Sequence, residues 1–328
     1  MHSVFSVRAP LRIALGGGGT DLPSHYRRHG GFVVSAAIDR HVRMRVAVAD
    51  GELWVLDHLE REEVADPAQI RHPILRAAVA RHGRTRPLEL TSSGDVEPGT
   101  GLGSSGAYTV AAVKALAAIG GHDLEPADLA DAAYRIEIED LDRTVGKQDQ
   151  YAAAHGGLNA LTFKRDESVG VERLAPGPEL RTALRERFLL FFTGGSRSAA
   201  DVLAEQVQRT LEGDGALQRN LAATADVARE VRSAVIDDDV DRFAELMDRQ
   251  WELKRERLAH LPMGRIEELR ALALSSGARG AMLMGAGGGG YLLVYASEPE
   301  HVRAALGAAG APELRFDLDE LGCRATQE

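Results

Sequence analysis

"PGTGLGSSG", residues 98–106, follows the strand-like "PLELTSSGDVE" (87–97) and runs straight into the alanine-rich "AYTVAAVKALAAIGG" (107–121). A glycine loop that feeds a helix turns successive backbone N–H groups and the positive helix end toward one concavity, which suits an anion. A tight strand-to-helix turn uses the same glycines, so the loop by itself leaves both readings open. It is not a Walker loop, since no Gly-Lys-Ser/Thr closes it. Nor is it a dinucleotide fingerprint, since no acidic residue ends a second strand about 20 residues on. Ser104 and Ser105 place two hydroxyls at the helix start, one able to cap and one able to meet a metal or phosphate. A metal there wants a carboxylate, and Glu137, Glu139 and Asp140 flank the apolar face of the next helix without its phasing choosing among them.

Two more glycine clusters lie outside this loop. "LRIALGGGGTDLPS" (11–24) holds four consecutive glycines after an apolar run, and "MGAGGGGYLLV" (284–294) holds five in six positions between two apolar stretches. A bulged β-turn accounts for one or two glycines, not for so many. Between them, "GKQDQYAAAHGG" (146–157) sets Lys147, Gln148, Asp149 and Gln150 before a run of tiny residues. An aspartate in a turn ordinarily bonds local backbone, yet Asp149 between two glutamines beside Lys147 is also placed to accept a proton from a hydroxyl.

Around these motifs, strands and helices alternate. Residues 3–15 and 31–57 read as paired strands, with "ADG" (49–51) predicting a hairpin between "RMRVAV" and "ELWVLD". Residues 66–83 are helical in pattern, and a helix beginning near Pro126 carries an apolar face through Leu129, Ala132, Ala133 and Ile136. "RFLLFFTGG" reads as a buried strand and 198–260 as a helix pair. The last third runs strand, glycine loop, strand, a helix over 299–309 and a strand at "ELRFDLD". "APGPEL" (175–180) breaks both periodicities and divides the chain into domains at 1–180 and 181–328.

With 328 residues, 44% apolar and 27% charged, the chain is an ordinary globular sequence long enough for two domains. A net charge of −10 disfavours nucleic acid and anionic membranes as partners. Cys323 is the only cysteine, which excludes an intramolecular disulfide and a paired-cysteine zinc site. "MHSVFSVRAP" lacks a leader pattern and "FLLFFTGG" is too short to span a bilayer, so a cytoplasmic protein is expected.

"RAPLRIALGGGGTD" (8–21), "PGTGLGSSGA" (98–107) and "GARGAMLMGAGGGGYLLV" (277–294) resemble, in this order, the three motifs of the GHMP kinases, the family of galactokinase, homoserine kinase and mevalonate kinase. The resemblance implies an α+β fold. Its N-terminal domain would be like domain 2 of ribosomal protein S5 and its C-terminal domain ferredoxin-like, with the active site in the cleft between. It implies that Pro98, Gly99, Thr100, Gly101, Leu102, Gly103, Ser104, Ser105 and Gly106 wrap the phosphates of ATP, and that Ser105 ligates Mg²⁺. The metal carboxylate falls on Glu137 with galactokinase spacing and on Glu139 with homoserine kinase spacing; Glu137 is taken. Asp149 matches the family's proposed catalytic base and Arg12 its basic residue near the reacting hydroxyl.

"GGGGTD", "GKQDQYAAAHGG" and "FFTGGSRSAADV" look most like the sugar 1-kinases acting on heptose 7-phosphate, a look shared by octose-phosphate and fucokinase-type enzymes. Gly17, Gly18, Gly19, Thr20 and Asp21 then form the acceptor side, Asp21 gripping vicinal hydroxyls. Where galactokinase has Glu and His in "GEHTD", Gly18 and Gly19 leave space for a longer sugar. Arg197 is the first candidate for a phosphate carried by that sugar, with Lys147 and Lys254 behind it. Gln148, Gly287 and Gly288 are placed on the substrate side, and Trp251 either stacks on the sugar or belongs to the core. Monomers and homodimers both occur in the family. A catalytically silent sugar and ATP sensor on the same fold is the alternative in another class, disfavoured because Ser105, Glu137, Asp149 and Arg12 are all present.

Overall fold

The computed structural model describes residues 3–58, 60–82, 86–195 and 199–328. The first apolar run forms β1 (Val4–Gly16); after α1 (Pro23–His29) the chain returns antiparallel to it as β2 (Gly31–Val48). The pairing slips at Pro10/Leu11 and again at Ala14/Gly16, as it must where proline removes a ladder donor and glycine lets the strand bend. The glycine run of residues 16–19 therefore leaves the sheet at a bulge rather than continuing it.

β3 (Trp54–Asp57), β4 (Arg61–Val64), α2 (Pro73–Arg81) and β5 (Leu88–Gly94) follow. The expected β2–β3 hairpin at 49–51 does not form: β5 lies against β2, and β3 pairs parallel to β5 and antiparallel to β4. A turn signal permits reversal, but the place beside β2 goes to the strand whose alternation buries Leu88 and Leu90 in the core. The 98–103 loop then enters α3 (Ser104–Ile119), whose alanines let it pack closely on β1 and β2. α4 (Pro126–Arg135) continues into one π-helical turn, Ile136–Asp140. Asp149, expected in a turn, lies in the first turn of α5 (Gln148–His155). β6 (Leu158–Phe163) takes the first half of β2 as β5 takes the second, and β7 (Val169–Leu174) extends that arm before α6 (Pro178–Glu186).

β8 (Phe188–Phe192) opens the second sheet. Residues 198–260, expected as a helix pair, hold three helices among the described residues: α7 (Ala199–Leu211), α8 (Gly215–Ile236) and α9 (Val240–Arg257). α10 (Gly264–Ser275), β9 (Ala278–Leu283), β10 (Tyr291–Ala296), α11 (Pro299–Ala308), β11 (Glu313–Leu314) and β12 (Arg324–Gln327) complete the chain. The second sheet is antiparallel with order β11-β8-β10-β9, fourth-first-third-second, which is the ferredoxin-like arrangement. β12 pairs with β1, so the last residues rejoin the first sheet and the two sheets are not two consecutive halves of the chain. α8 packs on β1 and β2, α9 packs on β9, and the two helices pack on each other, bridging both sheets through one apolar core. Trp251 lies in that core, 1% exposed, rather than in the cleft. Among the described residues no helix is long and apolar enough to cross a membrane.

Candidate active site

The glycine motifs meet in an open cleft of about 1320 Å³ between the two sheets. Along one wall run Gly99, Gly101, Gly103 and the first turn of α3, Ser104 to Gly106. Three other residues expected there point elsewhere: Pro98 is exposed outside the cleft, while Thr100 and Leu102 are buried and hold the loop down. The Arg12 backbone N–H donates to the Leu102 carbonyl at 2.9 Å, tying β1 to the loop. Gly106 is required where α3 meets α5, because a Cβ there would stand 2.6 Å from the Asp149 Cβ. Gly106→Ala is therefore expected to cost about 1–3 kcal/mol by overpacking. By displacing Asp149 it should also slow turnover roughly 100-fold. Thermal unfolding and steady-state kinetics of the one variant check both.

The third loop contributes Met284, Gly285 and Ala286 to the cleft, while Gly287 and Gly288, expected on the substrate side, are not in its lining. Their glycine-rich context has a packing origin. A Cβ on Gly285 would lie 2.5 Å from the Gly101 Cα, and one on Gly290 would strike the Thr100 carbonyl. Backbone lies on backbone here.

Arg12 joins the cleft's chemistry to this loop. Its Nε and Nη2 donate to one oxygen of Asp149, Oδ1, at 2.8 and 2.7 Å, and its Nη1 donates to the Gly101 carbonyl at 2.5 Å. Asp149 thus sits against Gly103 and Gly106 on one side and within electrostatic reach of Asp21 on the other.

Ser105 and Glu137 meet on the loop's far flank. The Ser105 hydroxyl donates to Glu137 Oε2 at 2.8 Å, Gln150 Nε2 donates to Oε1 at 2.8 Å, and Arg143 Nη1 reaches both Ser105 Oγ (3.0 Å) and Glu137 Oε2 (3.3 Å). The π turn accompanies this selection: within its wider, i→i+5 turn Glu137 lies inward, fully buried, while Glu139 and Asp140 face out to pair with Arg81. The spacing ambiguity between Glu137 and Glu139 is thereby a matter of one helical turn. A hydroxyl and a single carboxylate fit a Mg²⁺ that keeps water and takes its other ligands from a nucleotide. Among the described residues no cluster of three or more His, Cys, Asp or Glu offers an all-protein metal cage.

Opposite the phosphate loop, Asp21 accepts from the N–H groups of Gly19 and Gln148 and from Gln148 Nε2, each at 3.2 Å. Burial, and then the Asp149 charge, raise its pKa above the usual carboxylate value against those lowering hydrogen bonds. Gly18 faces open space, with nothing within 4 Å of a Cβ placed on it. Gly17 and Thr20, expected on the sugar, are structural: the Thr20 hydroxyl donates to the Gly17 carbonyl and accepts from the Phe32 N–H, locking the loop to β2.

Lys147 also departs from expectation. It is 2% exposed, its ammonium donates to the Glu167 carbonyl at 2.7 Å, and it lies over the rings of Tyr26 and Tyr134, away from the cleft. Arg197 lies outside the described residues. Lys254 does line the cleft, donating to the carbonyls of Leu283 (2.7 Å) and Gly285 (2.5 Å). Burial, then the charges of Arg257 and Arg12, push its pKa down to about 7. The unfolded chain, with an ordinary lysine, binds more protons between pH 7 and about 10.5, so this group's contribution to stability rises with pH across that window. Lys254→Met should flatten that slope, as read from thermal unfolding at pH 7 and 9.5.

Arg143, Gln150, Gln206, Gln250 and Arg257 escaped the sequence reading. For two of them a signal existed: Gln250, Lys254 and Arg257 recur at i, i+4, i+7, a polar stripe on one side of α9.

The pattern of the "GHMP kinases N terminal domain" matches residues 71–157 and that of "GHMP kinases C terminal" residues 231–312, together just over half of the chain. The chain belongs to the GHMP kinases. As a GHMP kinase it takes ATP as phosphoryl donor. It is 27% identical over 300 residues to the D-glycero-alpha-D-manno-heptose 7-phosphate kinase of Campylobacter jejuni, covering 88% of each chain. It is 26% identical over 340 residues to the bifunctional fucokinase/GDP-fucose pyrophosphorylase of Arabidopsis thaliana, matching 96% of this chain and 31% of that protein. In fold it is similar to a D-glycero-D-manno-heptose 1-phosphate kinase from Bacteroides thetaiotaomicron, with a TM-score of 0.80, 21% identity and 99% of both chains covered.

Proposed function

We propose that this GHMP kinase transfers the γ-phosphoryl group of ATP to the anomeric hydroxyl of a sugar already phosphorylated at its far end, of the heptose 7-phosphate or octose 8-phosphate class. The observation that carries the reading is the position of Asp149, held by Arg12 between the phosphate loop and Asp21. The similarity to the Campylobacter heptose 7-phosphate kinase supports a phosphorylated acceptor. Phosphoryl transfer asks a protein for positioning and for neutralisation of charge. The amides of residues 99–106 would cradle the phosphates; Ser105 and Glu137 would hold Mg²⁺, which when bound neutralises charge on the β and γ oxygens. Arg12 occupies Oδ1 of Asp149 and leaves Oδ2 to accept the sugar's hydroxyl proton. An anomeric hydroxyl is more acidic than an ordinary alcohol, which eases that transfer. Asp21 and Gln148 would hold neighbouring hydroxyls, and the space at Gly18 would admit the longer chain.

The second reading, a kinase of an unphosphorylated sugar, draws on the likeness to the plant fucokinase. Coupled ATP turnover with heptose 7-phosphate, octose 8-phosphate, fucose and galactose separates the two. The highest kcat/KM is expected for a phosphorylated acceptor, and a preference for fucose or galactose would overturn the proposal.

A further inference from the structure

The α9 wall of the cleft carries two cations, Lys254 and Arg257, that make no hydrogen bond or ion pair to a carboxylate among the described residues, Glu256 acting on Arg257 only through space. Lys254 donates only to backbone carbonyls. Arg257, one turn on, gives both Nη1 hydrogens to neutral oxygens of α8, Asn220 Oδ1 and Thr224 Oγ1, each at 2.7 Å, and one Nη2 hydrogen to the Gly18 carbonyl at 3.2 Å. Its neighbour Glu256 turns instead to Asn220 Nδ2 at 2.8 Å. Burial lowers the pKa of Arg257 to about 10, which leaves it fully charged at neutral pH. A desolvated, unpaired cation is costly, and a protein that holds two on the wall of a cleft has left their partner to the ligand.

The donor arithmetic of Arg257 narrows the ligand. A guanidinium has five N–H groups, and the contacts above use three. The Nε–H and one Nη2–H remain, two donors of the planar guanidinium that can meet the oxygens of a phosphate or carboxylate. Arg257 also fixes where that anion sits. It touches the loop at Gly18, on the acceptor side and beside the empty space there, whereas the nucleotide loop lies across the cleft around Gly103. From Asp149 outward the cations run Arg12, Lys254, Arg257, coupled in that order through Lys254.

We propose that Arg257 anchors the phosphate at the far end of the acceptor sugar, with Lys254 as its neighbouring charge, so that this side chain sets the preference for a phosphorylated acceptor. The inference rests on the phosphorylated-acceptor reading above. Its test compares wild type with Arg257→Gln, Arg257→Lys and Gly18→Asp, measuring kcat/KM for heptose 7-phosphate and for the unphosphorylated heptose, KM for ATP, and competition by inorganic phosphate against the acceptor. Thermal unfolding reports that each variant is folded. Arg257→Gln should lower the phosphorylated-to-unphosphorylated ratio of kcat/KM roughly 10- to 100-fold. Inorganic phosphate should cease to compete, while KM for ATP moves by no more than about twofold. Arg257→Lys, which keeps charge without the fork, should fall between. Gly18→Asp leaves Arg257 and its α8 contacts in place, sets a carboxylate beside it and should lower the same ratio. A ratio unchanged in every variant, with wild type preferring heptose 7-phosphate, overturns the anchor alone. Wild type preferring unphosphorylated sugars overturns the anchor and the proposed function together.

Discussion

Asp149→Asn is expected to lower kcat roughly 10²- to 10⁴-fold while nucleotide affinity stays within about twofold of wild type. The amide is nearly isosteric, and its oxygen can keep the Arg12 Nε bond now 2.8 Å long. The packing of residue 149 on Gly103 and Gly106 involves Cβ and Cγ, which the substitution retains. What is lost is the oxygen that takes the proton. Single-turnover kinetics with a nucleotide titration by calorimetry separate the two effects. Turnover within tenfold of wild type would remove Asp149 as the base, and a parallel loss of nucleotide binding would show that it positions the phosphate loop instead.

The second large effect is expected at Glu137. Its carboxylate accepts from Ser105, Gln150 and Arg143, all donors, and is fully buried. Glu137→Gln replaces the charged acceptor of three bonds by a neutral amide, weakening the Arg143 and Ser105 bonds at a cost of about 1–3 kcal/mol. It also removes the only carboxylate bonded to the Ser105 hydroxyl among the described residues. Turnover should fall about 100-fold at low Mg²⁺ and recover in part as Mg²⁺ is raised. A Mg²⁺ titration of turnover together with thermal unfolding checks both arms. Loss of stability with an unaltered Mg²⁺ dependence would make Glu137 a structural brace for α3 and α5. The parallel change Glu139→Gln removes an outward pair with Arg81 and should leave the Mg²⁺ dependence where it was.

The parts of the site that were legible in the sequence are those fixed by neighbours in the chain. Residues 98–106 declared a helix start, because glycine and serine precede an alanine-rich stretch, while the loop alone left an anion site and a plain tight turn both open. Gly106 then proves to be necessary for a reason no local pattern contains, since the side chain it makes room for, Asp149, arrives from another helix. The same holds for the third loop, whose glycines read as a ligand cradle but serve chiefly to let Gly285 and Gly290 lie on the backbone of residues 100–101.

Long side chains were the least legible. Lys147 sits in a polar run beside the proposed base, yet Tyr26 from α1 and Tyr134 from α4 draw its ammonium to the opposite side. Arg257 stands in a charged stretch, "RQWELKRERL", where its i, i+4, i+7 spacing with Gln250 and Lys254 is the sole local signal, and reaches the cleft because α8 and α9 lay it against Gly18, far away in the chain. The sequence by itself determined the alternation of strands and helices and the three glycine loops, because backbone conformation and periodicity are local properties, while the α+β fold and the set of Arg12, Asp149, Ser105 and a glutamate came from the resemblance those loops carry. Only the tertiary structure decided that β5 rather than β3 lies beside β2, that a π turn buries Glu137, and that among the described residues Arg257, and not Lys147, bonds the Gly18 carbonyl. Each of those depends on which surfaces from distant segments are buried against one another.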